Sequence, residues 1–197
     1  PDDPLLARQH PRDYVEGLEG SITGALEEAR GADDFDPSEV VGIGVDTTGS
    51  TPLPVDSHGE PLAFKDEFED DPDAMAWLWK DHTSHQEAED ITRMASEMRP
   101  EYVAKYGGTY SSEWFWSKLW HCLKVAPDVF EAAHTWVEIA DWIPAVLAGA
   151  TDPDVIKRGI CAAGHKAMFN PSWGGYPDVE FLGRLDGGLA QVRRTLP

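Results

Sequence analysis

A chain of 197 residues with 41% hydrophobic side chains is long enough for one substantial domain or two small ones, and it lacks the composition of a disordered segment. Its 36 acids against 16 bases give a formal charge of −20, which repels a phosphate backbone and an anionic lipid surface and excludes nucleic acid and membrane as partners. An acidic excess of this size also serves solubility in a salt-rich cytoplasm, where screening weakens self-repulsion. Two cysteines, Cys122 and Cys161, lie far apart among apolar neighbours, as expected for reduced buried thiols and a cytoplasmic setting rather than a disulfide framework. No signal peptide and no apolar run near ~18 residues is present. The sequence opens at Pro1, reads as loop for its first dozen residues and stops at Pro197, and is expected to be a piece of a larger protein.

In chain order, Val15, Leu18, Ile22, Ala25, Leu26 and Ala29 recur at helical spacing, which predicts an amphipathic helix over 12–30 that stops at Gly31. Val40 to Val45 is a continuous apolar run rich in β-branched residues, as for a strand covered on both faces. A helix followed by such a strand implies α/β layering. Residues 51–55 read as a second strand, kept at an edge by Pro52 and Pro54, with turn chemistry at 56–60 and a return over 61–64. A short strand at 76–79 precedes a helix over 83–98 capped by Thr83, and Gly107-Gly108 breaks the chain. A tryptophan-rich helix over 112–125 and a helix over 137–147 with Pro144 inside follow. Residues 154–170 read as extended and partly β, and two short helices over 177–194 finish the chain. With no repeat and no long linker, one domain is expected.

Several motifs invite chemistry. Gly42-Ile-Gly44 lacks the further glycine spacing and the following helix of a dinucleotide fingerprint. His82-Thr-Ser-His85 has a spacing found in metal sites, but a solvated first helical turn explains it better. The tryptophans are core material first, although flat rings such as Trp114 and Trp116 also suit the apolar faces of sugars. Asp46-Thr-Thr-Gly-Ser50 is either a turn that satisfies its own backbone or a ligand floor of hydroxyls around a side-chain-free Gly49, and the residues alone leave both open. Lys80 and Asp81 place a cation and an anion side by side at a strand end, where clefts form. Lys166, in Ala-Gly-His-Lys, is by itself an ordinary surface lysine.

Five blocks recur together and in order in one family. Residues 44–52 (Gly-Val-Asp-Thr-Thr-Gly-Ser-Thr-Pro), 78–83 (Leu-Trp-Lys-Asp-His-Thr), 107–118 (Gly-Gly-Thr-Tyr-Ser-Ser-Glu-Trp-Phe-Trp-Ser-Lys), 140–144 (Ala-Asp-Trp-Ile-Pro) and 163–166 (Ala-Gly-His-Lys) resemble the FGGY carbohydrate kinases, and within them the branch that acts on L-ribulose. The resemblance runs from about Arg12 to Pro197.

That resemblance implies an actin-like, ribonuclease-H-like α/β domain, the first of two, with sugar in the cleft between them. It implies transfer of the γ-phosphate of ATP, with Mg2+, to a pentulose hydroxyl: L-ribulose to L-ribulose 5-phosphate, in arabinose catabolism. By position, Thr48 and Gly49 would form the sugar-facing loop, Lys80 and Asp81 would border the cleft, Tyr110 would be a sugar-contacting aromatic, and Lys166 would bind the sugar. A phosphate loop with its aspartate would lie before Pro1, and the general-base aspartate, with the nucleotide-binding second domain, beyond Pro197. No catalytic residue is then expected in this chain, and the piece alone should not turn over. D-Ribulose, ribitol and xylulose are the alternative substrates, a non-catalytic sugar-binding or regulatory domain is the alternative function, and a homo-oligomer is compatible with either.

Overall fold

The computed structural model describes residues 3–32 and 35–197. Strand β1 (Arg8–Gln9) stands where loop was expected and pairs antiparallel with β3 (Ala76–Trp77). Helix α1 (Pro11–Ala29) begins with Pro11, whose missing N–H would have no helical partner there, and with His10, whose Nδ1 accepts from the Arg12 amide at 3.1 Å. Only the first half of its apolar stripe is used: Tyr14, Val15 and Leu18 pack on the core.

The largest departure from expectation follows. Residues 40–48 form neither strand nor helix, with Val41 fully exposed and Ile43 59% exposed. A strand exists only through a neighbour that takes its ladder hydrogen bonds and covers its faces, and none lies alongside among the described residues.

Strand β2 (Pro52–Val55) is buried throughout and pairs antiparallel with β4 (Thr135–Glu138), Leu53 opposite Val137 and Pro54 opposite Trp136. Its two prolines are accommodated because β4 is its one ladder partner among the described residues. A single bridge, Val55 to Pro61, and one 3-10 turn, Leu62–Phe64, replace the expected return strand. Helix α2 (His85–Met98) starts two residues late, because the Thr83 hydroxyl donates to Asp81 Oδ1 at 2.6 Å instead of capping. After α3 (Pro100–Ala104), the tryptophan-rich helix α4 (Phe115–Val125) packs against both α2 and the following α5 (Pro127–Ala132).

Val137 and Glu138, expected at the start of a helix over 137–147, lie instead in β4, where pairing with β2 draws them into a strand, and α6 (Ile139–Ala148) begins only afterwards. Helix α6 ends at Gly149, whose φ of 63° is the left-handed conformation that glycine adopts without a Cβ penalty. Helix α7 (Ile160–Lys166) replaces the expected extended segment; the Asp141 carboxylate accepts from the Gly159 amide at 2.7 Å and fixes its start. Helices α8 (Val179–Leu185) and α9 (Gly187–Arg193) close the chain, each begun by an aspartate, Asp178 and Asp186, as an N-cap. Cys122 is buried and Cys161 exposed, the latter against expectation, and both are free.

The architecture is mixed α/β, and the strands among the described residues form two antiparallel pairs. Alternation along β4 joins two cores, since Trp136 belongs to a cluster with Trp77, Trp116 and Phe181 while Val137 packs with Leu53, Ile139 and Trp142. Glu138, two residues after Trp136, shares its face and is thereby carried into the interior.

Candidate functional site

The loop between the exposed segment and β2 turns at Ser50, which is fully buried and has φ 71°. A left-handed serine is uncommon and persists only where its surroundings determine it. Three elements converge on it. From α4, Lys118 Nζ donates to the carbonyls of Ser50 and Leu78, both at 2.7 Å, and lies 3.4 Å from that of Trp77. From β4, Glu138 Oε2 accepts from the Thr51 amide at 2.7 Å. From α7, Lys166 lays its stem beside Gly49: a Cβ on that glycine would stand 3.7 Å from Lys166 Cε.

Both Lys118 and Glu138 are buried, and burial dominates their electrostatics. Burial pulls the Lys118 ammonium well below the usual lysine range, against the opposing pull of Glu138. Burial likewise pushes the Glu138 carboxyl up, although the Thr51 amide and Lys118 favour its charged form. Glu138 Oε1 and Ser50 Oγ, both buried, find no hydrogen-bond partner among the described residues.

The tip of Lys166 lies 5.6 Å from the centre of the Trp114 ring, an arrangement in which the ring face attracts the cation. The backbone of Lys166 is fixed separately, for Tyr110 donates its hydroxyl proton to the Lys166 carbonyl at 2.5 Å and accepts from the Trp116 amide at 3.1 Å. Burial holds that phenol neutral, its proton affinity well above that of an ordinary tyrosine. Trp116 is buried and donates to the Ala167 carbonyl at 2.9 Å, so it belongs to the core and Trp114 faces the lysine.

The residues singled out from the sequence divide accordingly. Gly49 and Lys166 are brought together, with the exposed Thr48 beside them, its Oγ1 3.3 Å from that of Thr51. Tyr110 is buried and its hydroxyl is engaged by backbone, so it bears on Lys166 rather than presenting a free hydroxyl. Lys80 is exposed beside a shallow depression formed with Leu6, Ala7 and Arg8. Asp81, expected at the cleft border, is fully buried, and its carboxylate binds Arg8, the Ala7 amide at 2.7 Å and Thr83. A groove of about 990 Å³ between the 56–58 turn and α9 includes none of these residues.

Lys118 and Glu138 were not singled out as site residues. A lysine inside a tryptophan-rich helical face is a signal in hindsight, since a buried ammonium needs several carbonyls around it. Glu138 gave none, because its burial depends on the strand that the helical reading of 137–147 obscured.

No family model matches the chain. Over 187 residues it is 46% identical to a ribulokinase of Vibrio parahaemolyticus, which covers 94% of this chain and 32% of that protein. A ribulokinase of Shouchella clausii is 42% identical over 193 residues, 98% of this chain and 33% of that protein. One of Mycolicibacterium smegmatis is 38% identical over 184 residues, 93% and 31% respectively. The crystal structure of a xyloylose kinase from Brucella ovis shares the fold, with a TM-score of 0.59 over 97% of this chain and 35% of that one at 18% identity. The chain spans about a third of the length of the curated relatives it matches. Across nearly all of its own length, and about a third of theirs, this chain is a relative of the ribulokinases.

Proposed function

We propose that the full-length protein carrying this chain is an ATP-dependent pentulose kinase acting on L-ribulose to give L-ribulose 5-phosphate, as in arabinose catabolism, and that this chain supplies the sugar-binding side of an actin-like domain. The observation that carries the reading is the meeting of Gly49 with Lys166 beside Trp114. A backbone without a side chain admits close approach, a lysine supplies donors to sugar oxygens, and an aromatic ring offers a flat apolar face. The name of the relatives, ribulokinase, supports the substrate and the use of ATP.

Phosphoryl transfer asks a protein for positioning and charge neutralisation more than for covalent chemistry. On this reading Thr48, Gly49 and Lys166 hold the pentulose so that its acceptor hydroxyl meets the phosphate in line. Lys80 stands at the rim, Tyr110 steadies Lys166, and Asp81 maintains the strand end rather than touching sugar. Among the described residues no three histidine, cysteine or carboxylate side chains converge, and we assign none of them to Mg2+ or to the nucleotide. No described helix is long and apolar enough to cross a membrane. The two free cysteines suit a cytoplasmic enzyme.

The test is ADP release by the full-length protein with Mg-ATP and L-ribulose, D-ribulose, ribitol or xylulose. Stimulation by L-ribulose above the others is expected. Stimulation by another of the four would reassign the substrate, and a well-folded protein that releases no ADP with any of them would leave a non-catalytic sugar-binding module.

A further inference from the structure

Lys118 and Glu138 grip a single peptide group. The Ser50 carbonyl, held by Lys118 at 2.7 Å, and the Thr51 amide, held by Glu138 at 2.7 Å, are the two ends of one planar unit. A cation at the oxygen and an anion at the N–H complement its dipole and fix its rotation, which sets ψ of Ser50 and φ of Thr51. The adjoining φ of 71° at Ser50 is the torsion that a serine does not keep unaided.

Stability is a weak explanation for this arrangement. Lys118 is 0% and Glu138 5% exposed, and an apolar pair of similar volume generally does as well as a buried charged pair or better. The residue before the gripped turn is Gly49, against Lys166, and the same ammonium also binds the Leu78 carbonyl ahead of Lys80. Lys118 therefore ties together two stretches of backbone that meet at the site.

We propose that Lys118 and Glu138 are positioning residues: by clamping the Ser50–Thr51 peptide they set the Thr48–Gly49 backbone against which the pentulose rests, without touching it themselves. The proposal deepens the pentulose-kinase reading and rests on it.

The test uses the full-length protein, with two readouts: hydrogen exchange of the segment 47–53 and separate KM values for L-ribulose and ATP. Glu138→Gln keeps an oxygen to accept from Thr51, whereas Glu138→Leu removes it and Lys118→Met removes the cation. Leaving a buried partner unpaired should speed exchange of 47–53 by about tenfold in the Leu and Met variants and raise the sugar KM by about tenfold, with the ATP KM unchanged. The Gln variant should stay within about threefold of wild type in both readouts. Because both side chains serve one peptide, the double variant should raise the sugar KM by much less than the product of the single effects.

Wild-type exchange in Glu138→Leu, a Gln variant no better than Leu, or multiplicative effects on the sugar KM would each overturn the proposal. Should the Leu and Met variants not fold, Glu138→Gln decides it: native protection and sugar KM support the clamp, and a raised sugar KM at native Tm refutes it. If the wild-type protein phosphorylates no pentulose, the kinase reading and the sugar part of the proposal fall together, while exchange at 47–53 still decides whether the pair clamps the peptide.

Discussion

Tyr110 donates its hydroxyl proton to the carbonyl of Lys166 at 2.5 Å and accepts from the Trp116 amide at 3.1 Å, so one phenol joins the start of α4 to the end of α7. Tyr110→Phe keeps the ring but removes the hydroxyl that serves the half-buried Lys166 carbonyl and the buried Trp116 amide, at a cost of about 1–3 kcal/mol. The expected result is a Tm lowered by several degrees together with a raised sugar KM, as Lys166 loses its fixed backbone. Thermal unfolding and steady-state kinetics of the full-length protein check both, and a change in Tm alone would dissociate Tyr110 from the site.

Lys166 and Gly49 make a matched pair of tests. Lys166→Ala should raise the L-ribulose KM by about tenfold or more, the scale of a lost charge-assisted hydrogen bond, with less effect on the ATP KM. Gly49→Leu fills the space beside Lys166 Cε from the other side and should impair sugar use similarly at nearly native Tm, because Gly49 is half-exposed. An unchanged sugar KM in both variants would remove this pair from the sugar site.

Ser50 offers a test of backbone strain. Ser50→Gly relieves the left-handed penalty and removes a buried hydroxyl without a partner among the described residues, so it should stabilise by about 1 kcal/mol. Ser50→Val places a β-branched side chain at the same torsion and should destabilise by more than that. Denaturant midpoints report both, and a Ser50→Gly protein less stable than wild type would mean that the hydroxyl is needed.

Acid sensitivity has a specific source in Glu87. Burial opposes ionisation of this carboxyl, yet His121 Nδ1 at 3.1 Å and Lys124 Nζ at 2.9 Å outweigh it and hold its pKa at about 2. A value below the ordinary 4.5 means stabilisation that is present above that pH and is lost as pH falls through it towards about 2. Glu87→Gln should therefore cost at most about 3 kcal/mol at neutral pH, and the gap to wild type should narrow by about pH 3. Urea midpoints at the two pH values measure it, and an equal gap at both would contradict the assignment.

Residues with local causes were legible in advance. The stripe from Val15 to Ala29 predicted α1, Gly149 marked the end of α6, and Gly107-Gly108 marked the break before α4. The ordered blocks around Gly49, Tyr110 and Lys166 pointed to a sugar kinase, and the ribulokinases match the chain across nearly all its length. These signals survive because capping, left-handed turns and periodic apolar faces act within a few residues of one another.

Features that depend on distant partners were not legible. Val40 to Val45 has the composition of a covered strand, yet composition cannot supply a neighbour to take its hydrogen bonds. Residues 135–138 become a strand because β2, some eighty residues earlier, lies beside them, and only that pairing carries Glu138 into the interior. The fates of Asp81, engaged by Arg8, and of Lys118, coordinated by three carbonyls, follow from the same cause. A charged side chain's role is set by the groups that surround it when its water is removed, and those groups come from remote parts of the chain.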